Sequence, residues 1–233
     1  MNVVELVVAG GRASRFGGDR ALAVLDDHTV IASVVDVLAA GCEAVAVNAG
    51  PQTAVCGWAA EHGLPVLPDR AGAGRGRLAG VLAGIAWATR LGADLLATAP
   101  CDTSFLLRDM VGRLRSNLRD HQSVAVALTE TGLQPLCALW RVPVRQDLRE
   151  LCESGGVRPV RTALIQLGVT MVPFPQESAF AKVPPYGGAV QVPRIVQLPQ
   201  RVGVTYAGPA GFKYLSRNKL NCRARTEDVT RDG

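Results

Sequence analysis

The fold is decided near the start of the chain, where residues 7–20 read VVAGGRASRFGGDR. A short apolar segment, Val3 to Val8, leads into the glycines and is typical of a buried strand. Glycines let the backbone turn sharply and bring its N–H groups close to a ligand. The loop arginines, Arg12, Arg15 and Arg20, add fixed positive charge with forked donors. The strand, the glycine turn and the arginines together predict a cradle for phosphate groups.

The spacing of the glycines distinguishes this loop from a dinucleotide-binding turn. That turn needs G-x-G-x-x-G with a helix starting at once. Here Gly10 and Gly11 are adjacent, and an arginine-bearing segment of loop length follows. The pattern therefore disfavours a hydride-transfer enzyme. A tight turn without a ligand is the alternative, and it leaves the arginines unexplained.

The composition indicates one α/β domain, with or without a tail. The chain has 233 residues and 48% hydrophobic residues, which is enough for a sizeable core. No run approaches the ~20 apolar residues of a membrane span, and no signal peptide is indicated. The 6 cysteines are scattered without a C-x-x-C pair, which is typical of reduced thiols. We therefore expect a cytoplasmic protein with no membrane partner.

The net charge of +5 is unevenly distributed along the chain. Residues 1–181 hold sixteen arginines, no lysine and seventeen acidic residues, a net charge of −1. Residues 182–233 hold nine basic and three acidic residues, a net charge of +6. The basic character thus belongs to a tail over 182–233 and not to a domain over 1–181. We expect no nucleic-acid partner for the domain.

Short apolar runs alternate with amphipathic stretches along the domain. This alternation predicts an α/β fold with three layers, a doubly wound and mostly parallel sheet between helices. The helix predictions cover residues 30–40, 54–61, 78–91, 106–118, 144–152 and 160–167. The strand predictions cover residues 3–8, 44–47, 66–67, 95–98, 124–128, 136–140 and 169–172.

Polar residues follow four of the predicted strands. They are the pair Gly10-Gly11, Asn48, Asp69 and Asp102. Because ligands of parallel sheets bind at the carboxyl ends of the strands, these residues predict one convergent site. Chance placement in polar loops is the alternative.

Each of these side chains suits a particular contact. A carboxylate at Asp102 suits Mg²⁺, although an Asp there also suits a helix N-cap. Asn48 can donate and accept, as a base or sugar edge requires, or simply cap its strand. Asp69 suits a guanine edge, a ribose or the metal, with a turn after Pro68 as the alternative. Cys101 has no nearby His to activate it and is interpreted as a buried hydrophobe.

Several motifs resemble those of the molybdenum cofactor guanylyltransferase family. Residues 9–20, AGGRASRFGGDR, resemble that family's loop, L-A-G-G-x-S-x-R-M-G-x-x-K. The resemblance extends over about residues 3–180. Its further motifs are VAVN at 45–48, VLPD at 66–69, GRLAG at 76–80, PCDTSFL at 100–106 and QPLCALW at 134–140.

The resemblance implies a nucleotide-diphospho-sugar transferase type of fold and a Mg²⁺-dependent transfer. GMP would pass from GTP to molybdenum-molybdopterin, with release of pyrophosphate. The further partners it implies are molybdoenzyme apoproteins or their chaperones. The implied catalytic residues are Arg15, Arg20 and Asp102, with Asp102 also the metal ligand. The implied nucleotide-binding residues are Val8, Ala9, Gly10, Gly11, Arg20, Asn48, Asp69 and Asp102.

The chain departs from the family pattern at three places. Arg20 stands for the loop lysine and Arg77 for the proline of G-P-L-A-G, and no N-x-N-T-P-x-D-L stretch follows Phe180. We hypothesise that residues from about 182 onward are disordered, or come from a shifted reading frame or a fusion. A CTP-dependent or other small nucleotidyltransferase remains an alternative. So does a non-catalytic relative that binds nucleotide or cofactor and passes it to a partner.

Overall fold

The computed structural model describes residues 1–9, 20–25, 28–69, 76–103, 105–153 and 159–182. It also describes the backbone of two short antiparallel strands, Thr205–Ala207 and Lys213–Leu215. Most of the predicted tail therefore lies outside the described residues, and its origin stays a hypothesis. No helix within the described residues has the length and apolar character that a bilayer crossing needs.

A seven-stranded sheet forms the centre of the domain. Its strands in chain order are β1 (Val3–Val8), β4 (Val45–Asn48), β5 (Val66–Leu67), β6 (Leu95–Pro100), β7 (Val124–Thr129), β8 (Gly132–Arg141) and β9 (Val169–Pro173). A separate small ribbon pairs β2 (Val24–Leu25) with β3 (His28–Thr29). The order across the sheet is β5-β4-β1-β6-β8-β7-β9. β8 alone runs antiparallel to its neighbours, so the sheet is mostly parallel, as predicted.

Within the described ranges, six helices cover the two faces of the sheet. They are α1 (Val30–Ala39), α2 (Ala54–Glu61), α3 (Arg77–Arg90), α4 (Met110–Asn117), α5 (Arg145–Glu153) and α6 (Val160–Leu167). The first, second and fourth pack on one face of the sheet, and the other three pack on the opposite face. This arrangement confirms the predicted three-layer α/β fold. Short 3-10 turns, Val142–Val144 and Glu177–Phe180, precede α5 and follow β9.

β1 is buried on both faces because the helical layers cover each side of the sheet. Val3 and Val7 point to one layer, and Leu6 points to the other. Glu5 lies in the middle of this strand and is fully buried. The Cys42 thiol donates to Glu5 Oε1 at 2.6 Å, and burial raises the pKa of the Glu5 carboxyl well above its usual range. Burial of Glu5 in the core therefore favours the neutral form of its carboxyl.

The predicted helix over residues 106–118 is wrong in its first turn. α4 begins only at Met110, with Asp109 at its N-cap position. Leu106 is buried, although it lies in the preceding turn rather than in the helix. Apolar spacing alone therefore placed the helix start too early.

The prediction for β8 is too short. The strand covers Gly132–Arg141 and not 136–140, because it pairs with β7 across a hairpin turn. The pairing shifts between Val126 and Ala127, which leaves Pro135 in the irregular stretch. Proline is tolerated in sheets at such bulges because it has no N–H to donate. The predicted strand, 136–140, begins directly after this proline and so misses the first part of β8.

Candidate active site

Four parallel strands end side by side along one edge of the sheet. Leu67 pairs with Asn48, Asn48 with Val8, and Val8 with Pro100. We call these four residues the strand-end row. The residue that follows β1 is also bound to β4, because Ala9 N donates to Asn48 O at 2.9 Å. The predicted convergence of β1, β4, β5 and β6 at one edge is therefore present in the described residues.

Asn48 and Asp69 are brought together at one end of this row. Asn48 is fully buried, and its Nδ2 donates to Leu67 O at 2.8 Å and to Asp69 Oδ1 at 3.0 Å. Its Oδ1 is buried without a hydrogen-bond partner among the described residues. Asp69 itself is exposed. The Asn48 amide therefore orients a carboxylate that faces solvent.

Two glycines at the start of α3 make this arrangement possible. Gly76, the N-cap residue, has a φ of 121°, a conformation that glycine adopts without strain. Gly80 packs so closely on Asn48 that a Cβ at this position would lie 2.1 Å from Asn48 Oδ1. The GRLAG motif thus places the beginning of a helix against the amide that orients Asp69.

Asp102 lies two residues beyond the strand-end row. The preceding residue, Cys101, is tied back to β1 because its N–H donates to Val8 O at 3.3 Å. Asp102 is half-buried. The helix-cap alternative for Asp102 does not hold, since α4 starts at Met110. Its carboxylate is therefore available for a ligand.

The thiol of Cys101 is not activated as a nucleophile. Burial raises its pKa to about 12, and the charge of Asp102 acts in the same direction. A neutral, buried thiol is a poor nucleophile, which agrees with the interpretation of Cys101 as a small hydrophobe.

Two cations that the resemblance did not assign to the site act on Cys101, the residue before Asp102. The charges of Arg77 and Lys182 both act to lower the pKa of the neighbouring Cys101. Arg77 begins α3, and Lys182 pairs with Thr103 through an isolated antiparallel bridge. Arg77 could have been found from its place in the GRLAG motif. Nothing in the local sequence around Lys182 points to Asp102.

The structure describes six of the nine predicted site residues. They are Val8, Ala9, Arg20, Asn48, Asp69 and Asp102. Gly10, Gly11 and Arg15 lie outside the described residues, so the phosphate cradle stays a prediction. Arg20 directly follows this loop, and its Nε is buried without a hydrogen-bond partner in the described part of the chain.

The donor set suits a Mg²⁺ ion that arrives with phosphate groups. Across the ranges that the structure describes, no group of three or more His, Cys, Asp and Glu residues could hold a metal. Mg²⁺ does not need such a group, because it commonly binds one or two carboxylates together with substrate phosphates and waters. The half-buried carboxylate of Asp102 fits this role.

Comparison with known proteins gives a consistent result. Residues 6–167 match the model of the MobA-like NTP transferase domain. A molybdenum cofactor guanylyltransferase from Rhodopseudomonas palustris is 37% identical over 178 residues, which are 75% of this chain and 82% of that protein. A protein of the same name from Cereibacter sphaeroides is 37% identical over 181 residues, covering 77% of this chain and 90% of its own length.

A solved structure shares the fold. It is the molybdopterin-guanine dinucleotide biosynthesis protein A from Archaeoglobus fulgidus, with a TM-score of 0.55 and 17% identity. The match covers 74% of this chain and 83% of that one. At this level of identity the likeness bears on the fold alone.

Proposed function

Since the chain belongs to the MobA-like NTP transferase family, we propose that it transfers GMP from GTP to molybdenum-bearing molybdopterin and releases pyrophosphate. The strand-end row is the observation that carries this proposal. It sets Asn48 and Asp69 at one end of an edge and Asp102 at the other. A nucleotide can extend along that edge from its base to its phosphates.

The reaction is an in-line displacement at phosphorus. An oxygen of the acceptor's terminal phosphate forms a bond to the α-phosphorus of GTP. The bond from that phosphorus to the oxygen bridging to the β-phosphate breaks, and pyrophosphate leaves with the electron pair. The protein contributes mainly by positioning both substrates and by stabilising the charge that develops.

We assign the base to Asp69. Asn48 acts through Asp69, because its amide group is buried and both of its contacts are made inside the protein. Guanine presents N–H donors on its pairing edge, which a carboxylate can accept. Asn48 is thus a positioning residue in this proposal, rather than the direct nucleotide contact that the resemblance implied.

We assign the triphosphate to the loop after β1. Val8 and Ala9 lead into that loop, with Arg15 inside it and Arg20 at its end. Glycine N–H groups and arginine side chains would together bind the phosphate oxygens. An arginine in place of the family's lysine keeps the charge and changes the donor geometry.

Asp102 is the residue that would hold Mg²⁺. A bound Mg²⁺ would supply positive charge that neutralises part of the negative charge of the phosphates. Within the protein, Asp102 is kept in place by the backbone bond from Cys101 to β1. We also propose a cytoplasmic location and delivery of the product to molybdoenzyme apoproteins or their chaperones.

The test is a turnover assay with the purified chain, molybdenum cofactor and Mg²⁺. GTP, CTP, ATP and UTP are supplied separately, and pyrophosphate release is measured. Release with GTP alone supports the proposal, while release with CTP alone indicates a cytidylyltransferase. Binding of GTP without turnover on any triphosphate would favour a non-catalytic relative and overturn the proposed activity.

The variant Asp102→Asn tests the site directly. Losing a carboxylate that stabilises transition-state charge should lower kcat at least about 100-fold. Asp109→Asn is the matched control, because Asp109 is exposed and its side chain makes no cap hydrogen bond. Wild-type turnover in Asp102→Asn would remove Asp102 from the active site.

A further inference from the structure

Lys182 is held beside Asp102 by the backbone. It pairs with Thr103, the residue after Asp102, and Thr103 is 1% exposed. The chain that leads to Lys182 is anchored as well, since Phe180 is buried in the core. Phe180 packs edge-to-face on Phe174, with the ring centres 5.4 Å apart. The position of the Lys182 backbone next to Asp102 is therefore determined by packing on both sides.

The segment that leads to Lys182 comes from the β8 side of β6, because Glu177 accepts hydrogen bonds from Thr131 in the turn between β7 and β8. In the sheet order, β8 flanks β6 on the side opposite β1. Ala9, the last described residue after β1, and the Asn48–Asp69 pair therefore lie on the other side of Asp102. A cation, Lys182, is thus approached from one side of Asp102, and the Asn48–Asp69 pair lies on the other side.

The Lys182 ammonium is available to a ligand. The side chain is exposed, and it forms no ion pair with any acidic residue among those the structure describes. An exposed lysine without a partner can also be merely solvated. What distinguishes Lys182 is its backbone bridge beside a carboxylate on the ligand-binding edge of the sheet.

We propose that Lys182 binds the phosphate of the acceptor on the β8 side of Asp102, while the nucleotide phosphates occupy the β1 side. This inference rests on the proposed function. In-line displacement requires the attacking phosphate to approach the α-phosphorus from the side opposite the leaving pyrophosphate. Both groups carry negative charge, so a cation on the attacking side reduces their repulsion and holds the nucleophile in place.

Pyrophosphate is the other source of phosphate oxygens that Lys182 could bind. The topology favours the acceptor, because the segment that leads to Lys182 comes from the β8 side of β6, whereas β1 ends on the opposite side. The two sources predict different kinetic results. An acceptor contact affects the KM for the cofactor, whereas a pyrophosphate contact affects turnover and the KM for GTP.

Kinetics of Lys182→Met provide the first test. Losing a charge-assisted contact should raise the KM for molybdenum cofactor about 10- to 100-fold, with the KM for GTP within about twofold of wild type. Lys182→Arg should restore part of the loss, and Arg145→Met is the control because Arg145 is an exposed cation at the start of α5. An unchanged KM for the cofactor, or a raised KM for GTP alone, would overturn the proposal.

Lysine footprinting gives a readout that does not depend on turnover. The chain has only three lysines, at 182, 213 and 219, so the other two serve as internal controls. The protein is acetylated in four separate reactions, in the presence of molybdenum cofactor, of Mg²⁺-GTP, of pyrophosphate, or without ligand. The acetylated peptides are then quantified by mass spectrometry. Selective slowing at Lys182 by the cofactor supports the inference, even for a protein that turns over no triphosphate. Protection by pyrophosphate alone, or by none of the three, contradicts it.

Discussion

The two sides of β6 reach the same edge of the sheet by different constructions. On one side, β1, β4 and β5 are parallel and each ends once at the edge, in the strand-end row. On the other side, β7 and β8 form an antiparallel hairpin that turns at the edge. A parallel strand presents only its last residues there, whereas a hairpin presents a turn whose side chains can interact with each other.

The forces that stabilise the two sides differ accordingly. The parallel side depends on close packing, with Gly80 against the buried amide of Asn48. The hairpin depends on side-chain hydrogen bonds: Gln134 Nε2 donates to Thr129 Oγ1 at 3.0 Å, and the Thr131 hydroxyl bonds to Glu177. We conclude that the nucleotide side is sensitive to added volume, while the hairpin side has more room for variation.

The largest expected effect comes from Gly80→Ala. An added Cβ would lie 2.1 Å from Asn48 Oδ1, so the helix or the amide must move, and we expect a loss of about 3 kcal/mol in the free energy of unfolding. Gly112→Ala is the matched control on the hairpin side. Gly112 lies in α4 with nothing within 4 Å of its added Cβ, so alanine should stabilise by about 0.5–1 kcal/mol. Urea unfolding of both variants measures the difference, and equal effects would contradict the comparison.

A smaller effect is expected where the two sides join. Trp140 Nε1 donates to Thr98 Oγ1 at 3.0 Å, and that hydroxyl donates to Ala138 O at 3.3 Å, so this buried chain of bonds links β6 to β8. Thr98→Val leaves the indole N–H without its acceptor, which should lower the free energy of unfolding by about 2 kcal/mol. Thr98→Ser keeps the hydroxyl and loses only a methyl, so it should cost about 1 kcal/mol. Thermal unfolding in which the valine variant is the more stable of the two would refute this account.

The smallest effect concerns Glu5 and depends on pH. Because burial raises the pKa of Glu5 in the folded protein, the unfolded chain loses this proton first as pH rises. The contribution of Glu5 to the free energy of unfolding is therefore present below the unfolded pKa and lost as pH rises towards the folded pKa. Glu5→Gln lacks this dependence, so it should match wild type near pH 4 and exceed it by about 1 kcal/mol at pH 8. Chemical denaturation at both pH values measures the free energy of unfolding. The same difference between variant and wild type at pH 4 and pH 8 would contradict this prediction.

The sequence predicts best those elements that are bounded by unambiguous signals. α2 and α6 have the predicted bounds, and β1 matches because an apolar run is followed by glycines. The antiparallel course of β8 could not be read in the same way. Strand direction depends on pairing partners, and Pro135 in the irregular stretch interrupts the apolar pattern.

The candidate site could be predicted only in part for a similar reason. Asn48, Asp69 and Asp102 each stand at or just after the end of an apolar strand. Because the carboxyl ends of parallel strands lie at one edge of a sheet, the sequence predicted that these residues would meet there. Burial of the Asn48 amide was not predictable, because it depends on how closely α3 packs through Gly80. Lys182 is far from Asp102 in sequence, and only tertiary pairing with Thr103 brings them together.

Glu5 also affects the behaviour of the chain before the domain has folded. β1 lies between β4 and β6, and β6 begins only at Leu95, so one edge of the apolar VVELVV segment lacks its partner until that residue is synthesised. In water the Glu5 carboxyl is ionised at neutral pH, since its unperturbed pKa is about 4.3. A charge in the middle of such a segment opposes intermolecular strand pairing. We therefore expect Glu5→Gln to refold with a lower soluble yield despite its greater stability at pH 8, because it lacks this charge.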